Sequence, residues 1–389
     1  MDITPTLLSH IHALAKDIGP RGSTTEGERR GAAYCQAVFT RLGLKPVLET
    51  YSAARSIFFP HLLASVLYLV AFALYPLGGR GTAALSGLIC LGTLVSELFE
   101  LGFKDNFLRR MAPDGASQNV HAVVEPAGEH RQDLVLIGHI DTQRTPLIFR
   151  TPRWVNAYKN FTTVAFVLFA VQTVLYLLGA FLQPGWIWYA TIPSAACAVL
   201  LAALCLQADT TPYTAGANDN ATAVSMVLSL AEELTQQPLE HTRVYCVCTG
   251  CEEVQHYGAT DFFMRYRGGM LNPKGLVFEM LGCAGPGWLT TEGIIVPFHS
   301  DPGLRKMAAD LSARHPEWGA YPVKISGGNT EMADCVRAAV PAITLFGLAP
   351  NGDAPYWHQV GDTVDKIDPA VLARSHAMAW ALIQEIDKN

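Results

Sequence analysis

The sequence predicts an α/β fold, a mostly parallel sheet flanked by helices, with two transmembrane helical hairpins inserted into it. Three observations lead to this expectation. Short runs rich in Val, Ile and Leu alternate with helix-period segments, apolar residues concentrate in two long blocks, and charged residues are scarce. Of 389 residues, 50% are hydrophobic and 16% are charged, whereas an average soluble protein has roughly 25% charged residues. This composition excludes a disordered chain and a coiled coil, and it is unusual for a soluble enzyme.

Net charge and cysteine content exclude two further classes of protein. The formal net charge is −6, so we expect no nucleic-acid partner, because nucleic-acid binding requires a basic surface. Nine cysteines occur without paired spacing, which argues against a disulfide scaffold. Free thiols are typical of a reducing compartment.

The first apolar block covers residues 56–103. It opens with the charge-free stretch SIFFPHLLASVLYLVAFALYPLGG and continues after Arg80 with a weaker stretch that contains Glu97 and Glu100. A bilayer span needs about 20 apolar residues. The block therefore predicts a helical hairpin, although two buried core helices remain the alternative and whether this hairpin spans the bilayer stays open.

The second apolar block covers residues 155–208 and carries no charge from Asn160 to Ala208. It divides at Leu182-Gln183-Pro184-Gly185, where a tight turn separates two stretches long enough to span a bilayer. This block predicts a second transmembrane hairpin, with buried core helices again the alternative.

Basic residues indicate the orientation of both hairpins. Only Arg80 lies in a hairpin tip, and the ends that join the polar segments are flanked by Arg55, Lys104, Arg109, Arg110, Arg150, Arg153 and Lys159. Lys and Arg are enriched at cytoplasmic ends of membrane spans. We therefore expect an integral protein of the cell inner membrane, with the lipid bilayer as a partner and the polar part in the cytoplasm. The sequence does not indicate an oligomeric state.

The polar remainder predicts one domain in three parts, residues 1–55, 104–154 and 209–389. Four short apolar runs read as strands, at residues 134–137, 244–247, 276–278 and 342–345, and helix-period stretches cover residues 221–234 and 304–313. Strands that alternate with helices favour a largely parallel sheet covered on both faces.

Polar motifs follow the predicted strands or precede a helix. They contribute His139, Asp141, Asp219, Glu252, Glu253, Glu279 and His358. Because functional crevices lie outside the carboxyl ends of strands in open α/β sheets, we expect these side chains to converge. Singly, each has another explanation: a polar loop histidine, a solvated pair of glutamates, or an aspartate that caps a helix.

Jointly, the two histidines and the carboxylates predict a metal centre. Imidazole and carboxylate ligands without thiolate suit zinc or a similar divalent ion. Five ligands exceed the three protein ligands of a usual catalytic zinc and suit two metals about 3.5–4 Å apart that share a carboxylate. Asp141 is placed to orient the imidazole of His139. Glu252 is left over beside the ligand Glu253, and we expect it to act as the general base for an activated water.

At these residues the sequence resembles metallopeptidase family 28, which comprises dizinc aminopeptidases and glutamate carboxypeptidase-like exopeptidases. The resemblance covers essentially all of the polar part and includes the entry segment Ile18-Gly19-Pro20-Arg21-Gly22-Ser23. It implies a zinc exopeptidase fold of the phosphorylase/hydrolase-like type and two zinc ions. One would be held by His139, Asp219 and Glu279, and the other by Asp219, Glu253 and His358. It also implies a cis peptide bond between Asp219 and Asn220.

The sequence departs from the family pattern at four places. Glu279 stands where the family usually has Asp, and Gln359 stands where Thr commonly follows the last His ligand. Gln255, His256 and Ala259 replace the usual Gly, Leu and Ser, and Thr330-Glu331-Met332 replaces Ser-Asp-His. None of these changes removes a ligand or the base, but substrate preference cannot be transferred from the family.

The resemblance implies a metal-dependent exopeptidase, of the aminopeptidase type, that acts on a peptide substrate. Two alternatives stay open: a glutaminyl cyclase-like acyltransferase, which uses a single zinc in relatives, and a non-catalytic membrane receptor or scaffold on a peptidase fold. The residue preference, the end of the peptide that is cleaved and the native metal are not indicated by the sequence.

Overall fold

The computed structural model describes residues 3–388, which form two compact units. The first, named here the α/β unit, comprises residues 3–53, 114–144 and 213–388 of the described chain. The second, named the helical unit, comprises residues 54–113 and 145–212.

The described strands form one sheet. They are β1 (Val47–Ala54), β2 (Asp114–Val124), β3 (Gln132–His139), β4 (Thr242–Thr249), β5 (Lys274–Glu279), β6 (Gly287–Glu292), β7 (Phe298–His299), β8 (Tyr321–Lys324) and β9 (Ala342–Phe346). Their order in the sheet is β1-β2-β4-β3-β5-β9-β6-β7, with β8 beside β6. The four strands predicted from the sequence lie within β3, β4, β5 and β9, which confirms them.

The described chain also contains thirteen α-helices. They are α1 (Thr4–His12), α2 (Glu26–Arg41), α3 (Phe59–Leu74), α4 (Arg80–Leu101), α5 (Phe107–Arg110), α6 (Pro152–Leu182), α7 (Ile187–Ala190), α8 (Ile192–Asp209), α9 (Thr222–Gln236), α10 (Tyr257–Tyr266), α11 (Pro302–Arg314), α12 (Met332–Arg337) and α13 (Pro369–Asp387). The predicted helices 221–234 and 304–313 correspond to α9 and α11.

The sheet is mixed, which corrects the expectation of a mostly parallel one. Strands β4, β3, β5 and β9 run parallel in the centre, and β8 is parallel to β6. In contrast, β2 is antiparallel to β4, and β6 is antiparallel to both β9 and β7. Residues 280–286, between β5 and β6, are too few for the crossover helix that a parallel connection needs. The chain therefore reverses direction there.

Alternate residues of β3 enter two separate cores, one on each face of the sheet. Leu134 and Leu136 lie in the core that includes residues of α1, α2, α9, α11 and α13. Val135 and Ile137 lie in the second core, with Phe262 of α10 and residues of α12. Because both faces are covered by helices, β3 is apolar along its whole centre rather than at every second residue.

The helical unit contains four helices long and apolar enough to cross a membrane. They span Phe59–Leu77, Arg80–Leu101, Pro152–Leu182 and Ile192–Asp209. Aromatic side chains pack between them, with ring centroids 4.2 Å apart for Tyr68 and Phe169 and 4.3 Å apart for Tyr75 and Tyr176.

Helix α6 presents an apolar stripe on its outer side. Five side chains at intervals of three or four residues are each 45–56% exposed: Val164, Val167, Val171, Val174 and Leu178. Contiguous apolar surface of this kind is rare on soluble monomers and is typical of contact with lipid or with another protein.

The helical unit contains more of the chain than the two predicted hairpins, because it also includes residues 104–113 and 145–154. Arg109 of α5 explains the first extension. Its Nε donates to Glu100 Oε2 of α4 at 2.8 Å, and both side chains are buried. A buried carboxylate needs such a partner, so the basic segment after the first hairpin packs with it.

We expect Gly138→Ala in β3 to destabilise the α/β unit. A Cβ at this position would lie 2.9 Å from the carbonyl carbon of Ala223 in α9 and 3.0 Å from its oxygen. Main-chain atoms of a packed helix cannot move aside freely, so the free energy of unfolding should fall by about 1–3 kcal/mol. Thermal unfolding measures the change. Gly268→Ala is the matched control because a Cβ there meets no atom within 4 Å, and equal stability of the two variants would contradict the packing argument.

Candidate metal centre

The carboxyl ends of β3 and β5 bring the first two predicted ligands together. His139 ends β3, Glu279 ends β5, and the two strands are parallel neighbours. His139 Nε2 lies 3.6 Å from Glu279 Oε2. Both side chains are buried, although each ends a strand next to a loop.

Asp141 shapes the loop after β4 that carries Glu252 and Glu253. Its Oδ1 accepts the main-chain N–H of Glu252 at 3.0 Å, and its Oδ2 accepts that of Glu253 at 3.1 Å. Ser23 donates its hydroxyl to the same Oδ2 at 2.6 Å. The imidazole of His139 has its Nδ1 3.1 Å from the main-chain oxygen of Asp141 and 3.5 Å from Oδ1. The main chain of Asp141 is therefore the nearer contact of the ring.

The segment before α9 holds Asp219. The main-chain N–H groups of Asn218 and Asp219 donate to Asp362 at 2.7 and 3.0 Å, which fixes the backbone at both residues. The expected cis peptide bond between Asp219 and Asn220 is present, so that expectation is confirmed. The N-cap of α9 is Ala221, so Asp219 does not cap the helix. Asn220 donates through Nδ2 to Glu279 Oε2 at 3.0 Å.

Arg21, from the entry segment, joins three parts of the α/β unit around this edge. Its guanidinium is fully buried and donates to five main-chain oxygens at distances of 2.8–3.0 Å. The acceptors are Leu14, Gly19, Ile140, Ala215 and Gly216. A cation that satisfies five carbonyls fixes the segments that lead to His139 and Asp219.

The two oxygens of Asp219 face different histidines. Oδ1 lies 3.5 Å from Nε2 of His139, and Oδ2 lies 3.3 Å from Nε2 of His358. His358 Nε2 is also 3.1 Å from Oε2 of Glu253. Three groups of three possible ligand atoms result, each within 4.8 Å: His139, Asp219 and Glu279; His139, Glu252 and Glu253; and Asp219, Glu253 and His358. The first and the last are named here the two ligand sets, and they share Asp219.

Burial raises the pKa of two carboxyl groups at this edge. The pKa of Glu279 rises to about 8, because burial outweighs the opposing effect of His139. The pKa of Glu253 rises to about 7, because burial outweighs the opposing effect of His358. Neighbouring carboxylates add to both shifts. Both carboxyl groups are therefore harder to ionise in the metal-free site than in water.

The two histidines respond in the opposite sense. Burial lowers the pKa of an imidazole, but Glu252 and Glu279 raise that of His139 well above its usual value. For His358, burial also lowers the pKa, and Glu253 and Asp219 together raise it to about 10. The carboxylates around each imidazole therefore favour its protonated form when no metal is bound.

The residues at this edge fit divalent metal ions. Glu253 Oε1 is buried and accepts no hydrogen bond from any residue between 3 and 388. The buried Asp219 Oδ2 has His358 Nε2 at 3.3 Å as its contact. Buried carboxylate oxygens need a hydrogen-bond donor, an ion pair or a metal. Imidazole nitrogens and carboxylate oxygens are ligands that zinc takes in proteins. The donor set and the unpartnered Glu253 Oε1 thus match the group that the sequence predicted.

Sequence reasoning assigned no role to three residues that support this centre. Arg21 lies in the entry segment and Asp362 lies four residues after His358, but nothing in the sequence indicated that they bind main-chain groups. Glu28 of α2 accepts the main-chain N–H of Cys251 at 2.9 Å and that of Thr24 at 2.9 Å. A single glutamate in a helix carries no signal for such a contact, which depends on the tertiary fold.

We expect the stability of the metal-free protein to fall as pH rises from about 4.5 to about 8. The folded-state pKa values of Glu253 and Glu279, about 7 and about 8, exceed the usual 4.5. The folded state therefore binds more protons than the unfolded state, and stability is lost as these groups ionise. Added zinc should raise the unfolding temperature more at pH 8 than at pH 5, because ligands must lose protons to bind metal.

Thermal unfolding of chelator-treated protein, with and without zinc, measures both effects. Glu279→Gln is the matched control, because it cannot ionise and should show a shallower decline with pH. A zinc-induced shift that is equal at both pH values would contradict this description of the site.

Comparison with known proteins agrees with this geometry. Residues 202–383 match the model of peptidase family M28, whereas comparison with curated proteins gives no match. A glutaminyl cyclase from Tannerella forsythia is 14% identical, with a TM-score of 0.57 and 99% of both chains covered.

Two aminopeptidases have similar structures. For a leucine aminopeptidase precursor from Bacteroides thetaiotaomicron, identity is 12%, the TM-score is 0.55, and 99% of this chain and 97% of that chain are covered. For BSAP, a zinc aminopeptidase from Bacillus subtilis, identity is 10%, the TM-score is 0.59, and the coverage is 99% and 96%. At such low identity the likeness shows the fold, and the family match supports a metal-dependent hydrolase. The chain thus has a mixed α/β fold similar to that of zinc exopeptidases and glutaminyl cyclases, and its residues 202–383 match the model of peptidase family M28.

Proposed function

We propose that this protein is a metal-dependent exopeptidase of the aminopeptidase type that hydrolyses peptide bonds. The observation that carries the proposal is the position of Asp219, whose two carboxylate oxygens face His139 and His358 at 3.5 and 3.3 Å. A carboxylate placed between two ligand sets suits a pair of metals that act on one substrate.

In this proposal each metal has three protein ligands. His139, Asp219 and Glu279 would hold one ion, and Asp219, Glu253 and His358 would hold the other, with Asp219 common to both sets. Zinc held there would supply Lewis-acid chemistry, which polarises a carbonyl group and lowers the pKa of water. Two side-chain amides restrain the carboxylates of Glu279 and Glu253. Asn220 donates to Glu279 Oε2 at 3.0 Å, and Gln143 donates to Glu253 Oε2 at 3.2 Å.

Glu252 acts as the general base. Its Oε2 lies 3.7 Å from Nε2 of His139, next to the first ligand set. It takes a proton from the attacking water and delivers that proton to the nitrogen of the leaving amine. Asp141 supports this role because it binds the main-chain N–H groups of Glu252 and Glu253. The overall reaction consumes one water and one peptide bond.

A glutaminyl cyclase-like activity is the second candidate. The observation in its favour is the structural likeness to glutaminyl cyclases from Tannerella forsythia and Bacteroides thetaiotaomicron. The presence of two complete ligand sets favours the exopeptidase, because cyclase relatives use a single zinc. A non-catalytic receptor or scaffold is disfavoured because neither the ligands nor the base are missing.

We further propose that the helical unit spans the cell inner membrane and that the α/β unit is cytoplasmic. Four helices of sufficient length and apolarity support the first part, together with the exposed apolar stripe of α6. The scarcity of basic residues in the hairpin tips, where only Arg80 occurs, supports the orientation.

A panel of fluorogenic aminoacyl substrates, together with peptides that begin with glutamine, tests the proposed activity. We expect the zinc-loaded protein to release the fluorophore from aminoacyl substrates and chelation to abolish the release. Cyclisation of amino-terminal glutamine without peptide hydrolysis would support the second candidate instead. Absence of both reactions with metal bound would support the scaffold alternative.

Glu252→Gln and Glu253→Gln are matched variants for this assay. Glu252→Gln retains the shape of the side chain but cannot accept a proton, so turnover should fall by about 10²–10⁴-fold while metal content is unchanged. Glu253→Gln should instead lower metal content, because it removes a charged ligand. The opposite pattern would overturn the assignment of base and ligand.

We expect the protein to stay in the membrane fraction after high-salt and alkaline washes and to require detergent for extraction. The reason is that the four apolar helices would otherwise expose their outer faces to water. Labelling with a membrane-impermeant maleimide should reach Arg80→Cys from outside the cell, whereas Lys104→Cys, its control, should react only after lysis. A chain that is soluble and monodisperse without lipid or detergent would contradict the proposal.

A further inference from the structure

His256 lies between Glu252 and Asp334, and it stands where the resembled family usually has leucine. Its Nε2 is 3.2 Å from Glu252 Oε1, and its Nδ1 is 2.6 Å from Asp334 Oδ2. All three residues are at most 9% exposed. The three groups form a row that leads from α12 to the proposed base.

The backbone directs the imidazole back towards Glu252. His256 has a φ of +55°, which is uncommon for a residue other than glycine. Its main-chain N–H donates to the carbonyl of Glu252 at 2.9 Å, and its own carbonyl accepts the N–H of Thr260 at 3.1 Å. The tight turn after Glu252 and the first turn of α10 therefore hold both ends of the histidine.

Asp334 is itself held in place. Its Oδ1 accepts from Thr260 Oγ1 at 3.3 Å and from Arg337 Nη1 at 3.2 Å, so its Oδ2 is directed at His256. A carboxylate that binds one ring nitrogen fixes the orientation of the ring and leaves the other nitrogen to serve a second group.

We propose that His256 is a positioning residue for the general base. Its Nε2–H donates to Glu252 Oε1 and holds the carboxylate so that Oε2 is directed at the metal centre, while Asp334 holds the ring through Nδ1–H. The inference rests on the proposed function, because it assigns a partner to the base of that reaction. It also gives a reason for the replacement of leucine by histidine in this chain.

The charge of the ring is consistent with two donated hydrogen bonds. Burial lowers the pKa of His256, but Asp334 and Glu252 raise it well above the usual value. A protonated imidazole has an N–H on both nitrogens and can donate to both carboxylates at once. His256 belongs to neither proposed ligand set among residues 3–388, so its contact with Glu252 is its link to the centre.

His256→Gly tests this role because glycine accepts the left-handed φ without strain. We expect kcat to fall about 10- to 100-fold, the usual effect of losing a group that orients an active-site residue. KM and metal content should stay unchanged. Added imidazole should restore kcat, and His256→Gln, which retains a donor near the position of Nε2, should lose less activity. Gln255→Gly is the matched control because Gln255 also has a positive φ, of +88°.

A second measurement does not depend on turnover. In proton NMR spectra of the wild type, a short hydrogen bond between His256 and Asp334 should give an N–H resonance far downfield of the amides. This resonance should be absent from His256→Gly and shifted in Asp334→Asn. Its absence from the wild type would overturn the proposal.

The kinetic outcomes separate this inference from the proposed function. Wild-type turnover that is equalled by His256→Gly would overturn the positioning role alone. A loss in His256→Gly that follows loss of metal, or that imidazole does not reverse, would assign the histidine a merely structural role. An inactive wild type that still shows the NMR signal would overturn the proposed function and leave the hydrogen-bonded row established.

Discussion

The burial of four carboxylates at one edge of the sheet is the constraint on which the rest of the site depends. Asp219, Glu252, Glu253 and Glu279 are each at most 9% exposed, and two imidazoles face them. Removing an ion from water costs several kcal/mol unless other charges offset that cost. Of these four charges, two protonated histidines would offset two, whereas two divalent ions with neutral histidines would offset all four.

The surrounding structure restrains the main chain around these ligands. Asp141 binds the loop after β4, and Asp362 binds the segment before α9. Arg21 connects the carbonyls of segments distant in sequence. Because each support binds main-chain groups, the ligand side chains remain available to metals. This division between supporting and ligating groups explains how a site so rich in negative charge can keep a fixed geometry.

Much of the α/β unit could be predicted from the sequence because the central strands are apolar on both faces and β3, β4 and β5 are followed by polar motifs. The convergence of His139, Asp141, Glu252, Glu253 and Glu279 follows from the parallel order of β3, β4 and β5, whereas Asp219 and His358 lie in segments outside the strands that the fold brings to the same edge. The antiparallel outer strands were not predictable in this way, because strand direction depends on pairing and connection length. The pairing of His256 with Asp334 was also hidden, since 78 residues separate them and their contact depends on how α10 and α12 pack.

The central claim is that the carboxylate-rich edge is built to hold two divalent ions that share Asp219. Elemental analysis of the protein purified in the presence of zinc, with the bound metal counted per chain, tests it most directly. The account predicts two ions per wild-type chain and fewer in Asp219→Asn, since that variant weakens both ligand sets. A single tightly bound ion in the wild type, with no activation by a second, would contradict it.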